Sequence, residues 1–302
     1  MSAPRAGQLD PAVLAALGHL ELVARWAVDG FITGLHRSPK KGFSVEFAEH
    51  RPYIAGDDLR YLDWRIAARA DRWLVKQFEE ETNARAVLVL DTSKSMQWTG
   101  DPARLTKLAY AERLIAAFAL LLLRQRDAVG LVRFDAGLRN VIPPRSQRAQ
   151  WTRLIAALDA PGGGDASDVA GAMMQAGRIV RRPGFVVVVS DLLVDTMPVA
   201  DAARTLRARG HEVLVVHVMD PAERDFPESG EARYRDPESR VEVPAAPADV
   251  RASYQVTVRE ALEEWRSELG RAGARYALAT TDEPFGKALR LLVGINGRGA
   301  MI

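Results

Sequence analysis

With 302 residues, the chain is long enough for one large α/β domain with a core of its own and a smaller appendage. It contains no cysteine, which excludes disulfides, iron–sulfur clusters, thiolate zinc sites and thiol nucleophiles together. The formal net charge is only +2, which does not match the composition of a nucleic-acid binder.

Only six of the 41 basic residues are lysine, so the basic surface is arginine-rich; that suits bidentate carboxylate contacts, and codon bias in a GC-rich genome produces it equally well. The N-terminal stretch has no basic segment leading into an apolar core, so no secretion signal is expected. The most apolar run, residues 114–123, is about half the roughly 20 residues needed to span a bilayer. A cytoplasmic protein without membrane insertion is the expectation.

Residues 10–29 carry apolar positions at helical spacing, among them Val13, Leu17, Leu20, Val23 and Ala27, with Asp10 and Pro11 as cap and first helical residue. The basic segment HRSPKK at 36–41 reads as a solvated connector. Residues 47–81 interleave charges and aromatics too densely for a plain amphipathic element. Arg51, Asp57, Asp58, Arg60, Asp63, Arg65 and Arg69 are expected to form an ion-pair lattice around Tyr53, Tyr61 and Trp64, with a strand over 73–79.

The run AVLVL at 86–90 ends abruptly in Asp91 and is followed by Thr-Ser-Lys-Ser. Its length, branched side chains and charged flanks predict a buried parallel strand with a loop at its carboxyl end, where open α/β sheets place ligands. A helix over 102–124 turns apolar nearly all round from Leu114, so it should be covered on several sides. Strands at 128–134 and 138–142 flank a turn at 135–137, and a helix follows at 147–158.

The stretch PGGGDASD then enters a helix through Ser167 and Asp168, and FVVVVSD, residues 185–191, is a strand ending in another aspartate. A helix at 197–209 leads to a strand at 213–218. Short strands are expected at 232–234 and 241–243, within a polar segment 220–245 that should pair with the 73–79 strand into a side sheet. A helix at 250–269, a strand at 276–280 and a helix from 284 to 293 complete the chain. This alternation implies a doubly wound, mostly parallel sheet covered on both faces. The expected organisation is an N-terminal helix plus appendage over 1–83, and the sheet domain over 84–302.

Three loops converge if the 86–90 and 185–190 strands are neighbours. Asp91, Ser93 and Ser95 come from the first, Ser167 from the second and Asp191 from the third. Two carboxylates roughly neutralise a dication and three hydroxyls add no charge, a donor set that suits magnesium, with manganese or calcium as alternatives. Taken alone, Asp, Thr and Ser after a strand fit helix capping and turns as well. Lys94, Asp165, Asp168 and Ser190 read as neighbours that orient hydroxyls or cap helices, and His211 and His217 as structural. Trp98 and Met96 flank the site, either as a contact rim or as core.

Asp91-x-Ser93-x-Ser95 with Ser167 and Asp191 resembles the metal-ion-dependent adhesion site of von Willebrand factor A-type domains. That resemblance implies direct or near-direct coordination by hydroxyls and largely water-mediated action by the aspartates; serine stands at 167 where threonine is usual. The segment HRPYIAGDDLRYLDWRIAARADRWLVKQFEEE, with HVMDPAERDFP, YRDPESR and TTDEPFGKAL downstream, resembles the bacterial domain-of-unknown-function 58 family. Many of its members carry N-terminal membrane helices, and its genes commonly accompany MoxR-type AAA+ ATPases.

The resemblance implies a protein partner of that ATPase type and a metal-dependent interaction module, not an enzyme; neither nucleic acid nor a small-molecule substrate is expected. The alternatives are a magnesium-dependent hydrolase or phosphotransferase using Asp91, and a metal-free scaffold. Against catalysis, Ser93 stands where an aspartyl-phosphate loop carries its second aspartate, and the chain has no GxxxxGK phosphate loop.

Overall fold

A run with no polar face must be covered on both sides, and in the computed structural model the run at 86–90 is the central strand β3, Arg85–Asp91, buried at every position after Arg85. The structure describes residues 20–36, 50–53, 73–76, 84–226, 232–235, 242–245 and 247–293. Six strands form one sheet in the order β10-β7-β6-β3-β4-β5. They are β3, β4 (Ala128–Phe134), β5 (Leu138–Arg145), β6 (Phe185–Ser190), β7 (Glu212–Met219) and β10 (Arg275–Thr280). All neighbouring pairs are parallel except β4–β5. The winding therefore reverses between β3 and β6, and the crevice at their carboxyl ends is where a doubly wound sheet binds ligands.

Side-chain alternation along each strand sends one set of residues to each face. Ala86, Leu88 and Leu90 join helices α1 (Leu20–His36), α2 (Lys107–Arg124), α3 (Arg148–Leu158) and α8 (Phe285–Val293) in one core. Val87 and Val89 join α4 (Val169–Val180), α5 (Thr196–Ala208) and α7 (Pro247–Arg271) in the other. Helix α2 lies between the sheet and α1, which explains a sequence apolar on nearly all sides; Leu114, Ile115, Ala116, Ala117 and Phe118 are all buried. Fully burying each such leucine, isoleucine or phenylalanine side chain contributes roughly 1.5–3 kcal/mol.

Contacts divide the chain into two compact units, Ser38–Asn83 and Met1–Arg37 together with Ala84–Ile302. The N-terminal helix thus belongs to the sheet-bearing unit and not to the segment that follows it. It is tied there by Arg124 Nη1 to Asp29 Oδ1 at 2.7 Å and by Trp151 Nε1 donating to Glu21 Oε1 at 3.2 Å. Within the smaller unit, β1 (His50–Pro52) pairs antiparallel with β2 (Leu74–Lys76), and the Tyr53 N–H donates to the Trp73 carbonyl at 2.8 Å.

Strand β8 (Ala232–Arg235) pairs with β9 (Glu242–Ala245). Among the described residues, the strand at 74–76 and the two strands within 220–245 each have a local antiparallel partner. A nearby strand costs less loop-closure entropy than a distant one. The Asp10–Pro11 cap, residues 37–41 of the basic connector and the ion-pair lattice around Tyr53 fall, Tyr53 and the backbone of Arg51 apart, outside the described residues.

Two boundaries differ from expectation for local reasons. Helix α2 starts at Lys107 because the Thr106 hydroxyl accepts the Ala109 N–H at 3.1 Å; residues 101–104 form turns instead. Strand β5 continues through Pro143 and Pro144 to Arg145 because it is the sheet edge, where a missing N–H costs no ladder bond. A 3-10 turn, Lys94–Gln97, and the five-residue helix α6 (Pro221–Asp225) have no periodic signature. In α6 a capping box, Asp220 with Glu223, supplies the signal.

Candidate metal centre

Asp91 ends β3 with no exposure to solvent, and its carboxylate is held at both oxygens. Oδ1 accepts the Ser93 N–H at 2.9 Å; Oδ2 accepts the hydroxyls of Ser167 and Ser190, each at 2.7 Å. Burial, and after it the neighbouring Asp191 carboxylate, pushes its pKa above the usual carboxylate range, against the lowering by these three donors. The Ser93 and Ser95 hydroxyl oxygens lie 3.1 Å apart, buried in the loop beneath.

The loop that delivers Ser167 is laid along the β3 exit by backbone pairing. The Gly163 N–H donates to the Thr92 carbonyl at 2.7 Å, the Lys94 N–H to the Gly164 carbonyl at 2.8 Å, and Ser93 and Gly164 form a parallel bridge. All three consecutive glycines are required there: a Cβ on Gly162 would lie 2.8 Å from the Thr92 Cβ and 2.9 Å from its carbonyl oxygen. Gly163 has φ +128°, and a Cβ on Gly164 would lie 2.3 Å from the Asp135 carboxyl carbon. The Asp168 side chain then caps α4 by accepting the Gly171 N–H at 2.9 Å.

Asp191 follows β6 and is 3% exposed. Its Oδ2 accepts from the Lys107 ammonium at 2.9 Å, and the same ammonium donates to Glu223 Oε1. Lys107 is 1% exposed and lies 5.9 Å from the centre of the Trp98 ring. Burial works to lower its pKa, but the Asp191 and Glu223 carboxylates outweigh this and hold it fully charged. Burial raises the Glu223 pKa and Lys107 opposes it; both Glu223 oxygens accept, the second from the Asp220 N–H at 3.0 Å.

Lys107 and Glu223 were not legible as site residues. Lysine at the first position of a helix and glutamate in a five-residue turn look like ordinary surface residues, and only the fold turns both towards Asp191. Ser190 orients the Asp91 carboxylate while accepting the Leu192 N–H at 3.0 Å. Lys94 reaches Asp165 at 3.3 Å, away from the buried cluster. Burial pushes the His217 pKa down to about 4, and its Nδ1 sits 2.9 Å from the Tyr276 hydroxyl, so the ring is neutral and engaged.

Met96 is fully buried and belongs to the core, whereas Trp98 is 40% exposed at the rim. Leu193 and Met197, beyond the neighbouring strand, are exposed too. Leu192 turns the chain there with φ 52°, a left-handed conformation rare for leucine, and is itself buried.

The donor set fits a hard dication on two counts. Adjacent oxygens of a magnesium octahedron at about 2.1 Å lie about 3.0 Å apart, the spacing of the two serine hydroxyls. The charges at the site are the buried Asp91 and Asp191 and the part-exposed Glu223 against the buried Lys107, a balance of two negative, while the buried Asp220 beside Glu223 is offset by Arg104 at 3.4 Å. Among the described residues no group of three or more histidine, aspartate or glutamate side chains is arranged to hold a metal, so the hydroxyls are essential to this reading.

Strand order and the reversal at β3/β6, with hydroxyl–carboxylate loops at that point, define a doubly wound α/β protein. The family profile described as "Protein of unknown function DUF58" matches residues 49–264, and the chain belongs to that family. It is 31% identical over 237 residues to the uncharacterized proteins Rv1480 of Mycobacterium tuberculosis and Mb1516 of Mycobacterium bovis, covering 77% of this chain and 73% of each relative.

Among solved structures it is similar to the conserved hypothetical protein BatB of Bacteroides thetaiotaomicron (TM-score 0.46, 19% identity, 70% of this chain and 98% of that one). It is also similar to an aerotolerance-related membrane protein of Bacteroides fragilis (TM-score 0.49, 17% identity, 70% and 99%). The SpRpn10 VWA domain matches at TM-score 0.45 and 11% identity, over 69% of this chain and 94% of that one. At these scores no functional argument rests on the likeness. No helix among the described residues is long and apolar enough to cross a membrane.

Proposed function

We propose that the β3/β6 crevice is a magnesium-dependent protein-interaction site, with manganese or calcium as alternative ions. The observation that carries this reading is the pair of buried hydroxyls, Ser93 and Ser95, 3.1 Å apart beside the buried carboxylates Asp91 and Asp191. Ser93, Ser95 and Ser167 would hold the ion, with Asp91 and Asp191 acting from behind. Bound magnesium would supply an electrophilic position for an incoming partner carboxylate. Exposed Trp98, Leu193 and Met197 offer apolar contact around that position.

The site is read as non-catalytic. Lys107 is committed to two carboxylates, His217 is neutral and hydrogen-bonded to Tyr276, and Ser93 stands where an aspartyl-phosphate loop needs a second aspartate. A MoxR-type AAA+ ATPase is the proposed partner, supported by the resemblance of the signature segments; the cytoplasm is the proposed compartment, supported by no described helix being long and apolar enough to cross a membrane.

Magnesium calorimetry on the wild type and on Asp91→Ala tests the site, and retention of the protein on an immobilised MoxR-type ATPase, with magnesium and with chelator, tests the partner. Heat and retention are expected only for wild type with magnesium. Retention of wild type in chelator, or of Asp91→Ala with magnesium, as strong as that of wild type with magnesium would sink the interaction reading.

A further inference from the structure

We propose that Lys107 is the charge-setting residue of this centre: its buried ammonium holds the cluster at two negative charges and thereby selects a divalent over a trivalent cation. The inference rests on the metal reading above and deepens it.

A lysine that is 1% exposed is costly unless paired, and this one is paired twice, with Asp191 at 2.9 Å and with Glu223. Its position is not one that helix electrostatics favours. It is the first residue of α2, the positive end of the helix dipole, where a cation is destabilised. The carboxylates, not the helix, account for its placement.

Asp91, Asp191 and Glu223 contribute three negative charges, and every oxygen named above accepts a hydrogen bond in the manner of an ionised carboxylate. With Lys107 the sum is two negative, which one dication neutralises. Without Lys107 it is three negative; without Glu223 it is one. A purely structural salt bridge would make its loss weaken all cations alike. A charge-setting role makes the loss depend on cation valence, because the extra charge of a trivalent ion meets the altered field once more than a divalent ion does.

The test uses the full chain and two cations, magnesium by calorimetry and terbium by luminescence sensitised through tryptophan, Trp98 being the indole beside the Lys107 ammonium. Lys107→Met is expected to raise the terbium-to-magnesium affinity ratio by about tenfold or more, and Glu223→Gln to lower it by a comparable factor. Should Lys107→Met fail to fold, the fall expected for Glu223→Gln still decides the matter. Ratios within about twofold of wild type, or both shifted in one direction, overturn the charge-setting role while leaving the metal site standing. A wild type that binds neither cation overturns the site and this inference together.

Discussion

Gly164→Ala is the sharpest perturbation of the candidate centre that touches none of its donors. The added Cβ would lie 2.3 Å from the Asp135 Cγ and 2.7 Å from its Cβ. Rotating the Asp135 side chain relieves only the first contact, because Cβ is fixed to a backbone whose N–H donates to Gly137 and whose carbonyl accepts from Asp168. Position 164 must therefore retreat by about 1 Å to reach ordinary van der Waals distance.

That retreat stretches the 2.8 Å bond from the Lys94 N–H and draws Ser167 away from Asp91. Overpacking of this kind costs about 1–3 kcal/mol, and the loss of the Ser167 bond to a charged acceptor adds to it. Urea denaturation is expected to show a lowered midpoint at constant slope, and calorimetry a weaker magnesium heat than wild type. A Gly164→Ala protein with wild-type midpoint and wild-type magnesium heat would refute the claim that this glycine sets the approach of the loop to β3.

Two further outcomes follow from buried groups. Burial pushes the Glu112 carboxyl up to about 7 from 4.5, against Arg133 and Arg113, so the folded state holds this proton more tightly than the unfolded chain. Its contribution is fully present below about pH 4.5 and is lost as pH rises towards 7, worth at most about 3 kcal/mol at 1.36 kcal/mol per pH unit. Glu112→Gln should match wild type near pH 4 and exceed its stability at pH 8; equal unfolding midpoints at pH 8 would contradict this. Ser190→Ala removes a donor to Asp91 Oδ2 and the acceptor of the Leu192 N–H, and is expected to cost about 2–4 kcal/mol in denaturant unfolding.

How much was legible depended on the range of the interaction that decides each feature. The apolar runs at 86–90 and 185–189 have the length and branching of doubly buried strands, and burial on both faces leaves little alternative to a central parallel position. The nearly all-round apolar surface from Leu114 onward likewise announced a helix covered on several sides, and strand–helix alternation announced the doubly wound class. Where local capping sets an end, as Thr106 does for α2, the boundary moved by several residues. Pairing partners are chosen among all strands present, and periodicity does not name them, so the local partners of β2, β8 and β9 came from the fold.

For the centre, Asp91, Ser93 and Ser95 share one short loop, so their nearness is a property of the sequence itself. Ser167 and Asp191 join them only through the neighbouring placement of β3 and β6 and through three glycines thin enough for the backbone to lie against Thr92 and Asp135. The charge of the cluster was beyond any local pattern. Lys107 and Glu223 stand 116 positions apart, and their meeting at Asp191 is decided by where α2 and α6 begin above adjacent parts of the sheet. Side-chain type and spacing thus determined the sheet and the hydroxyl loop, while long-range packing alone decided the electrostatic balance of the crevice.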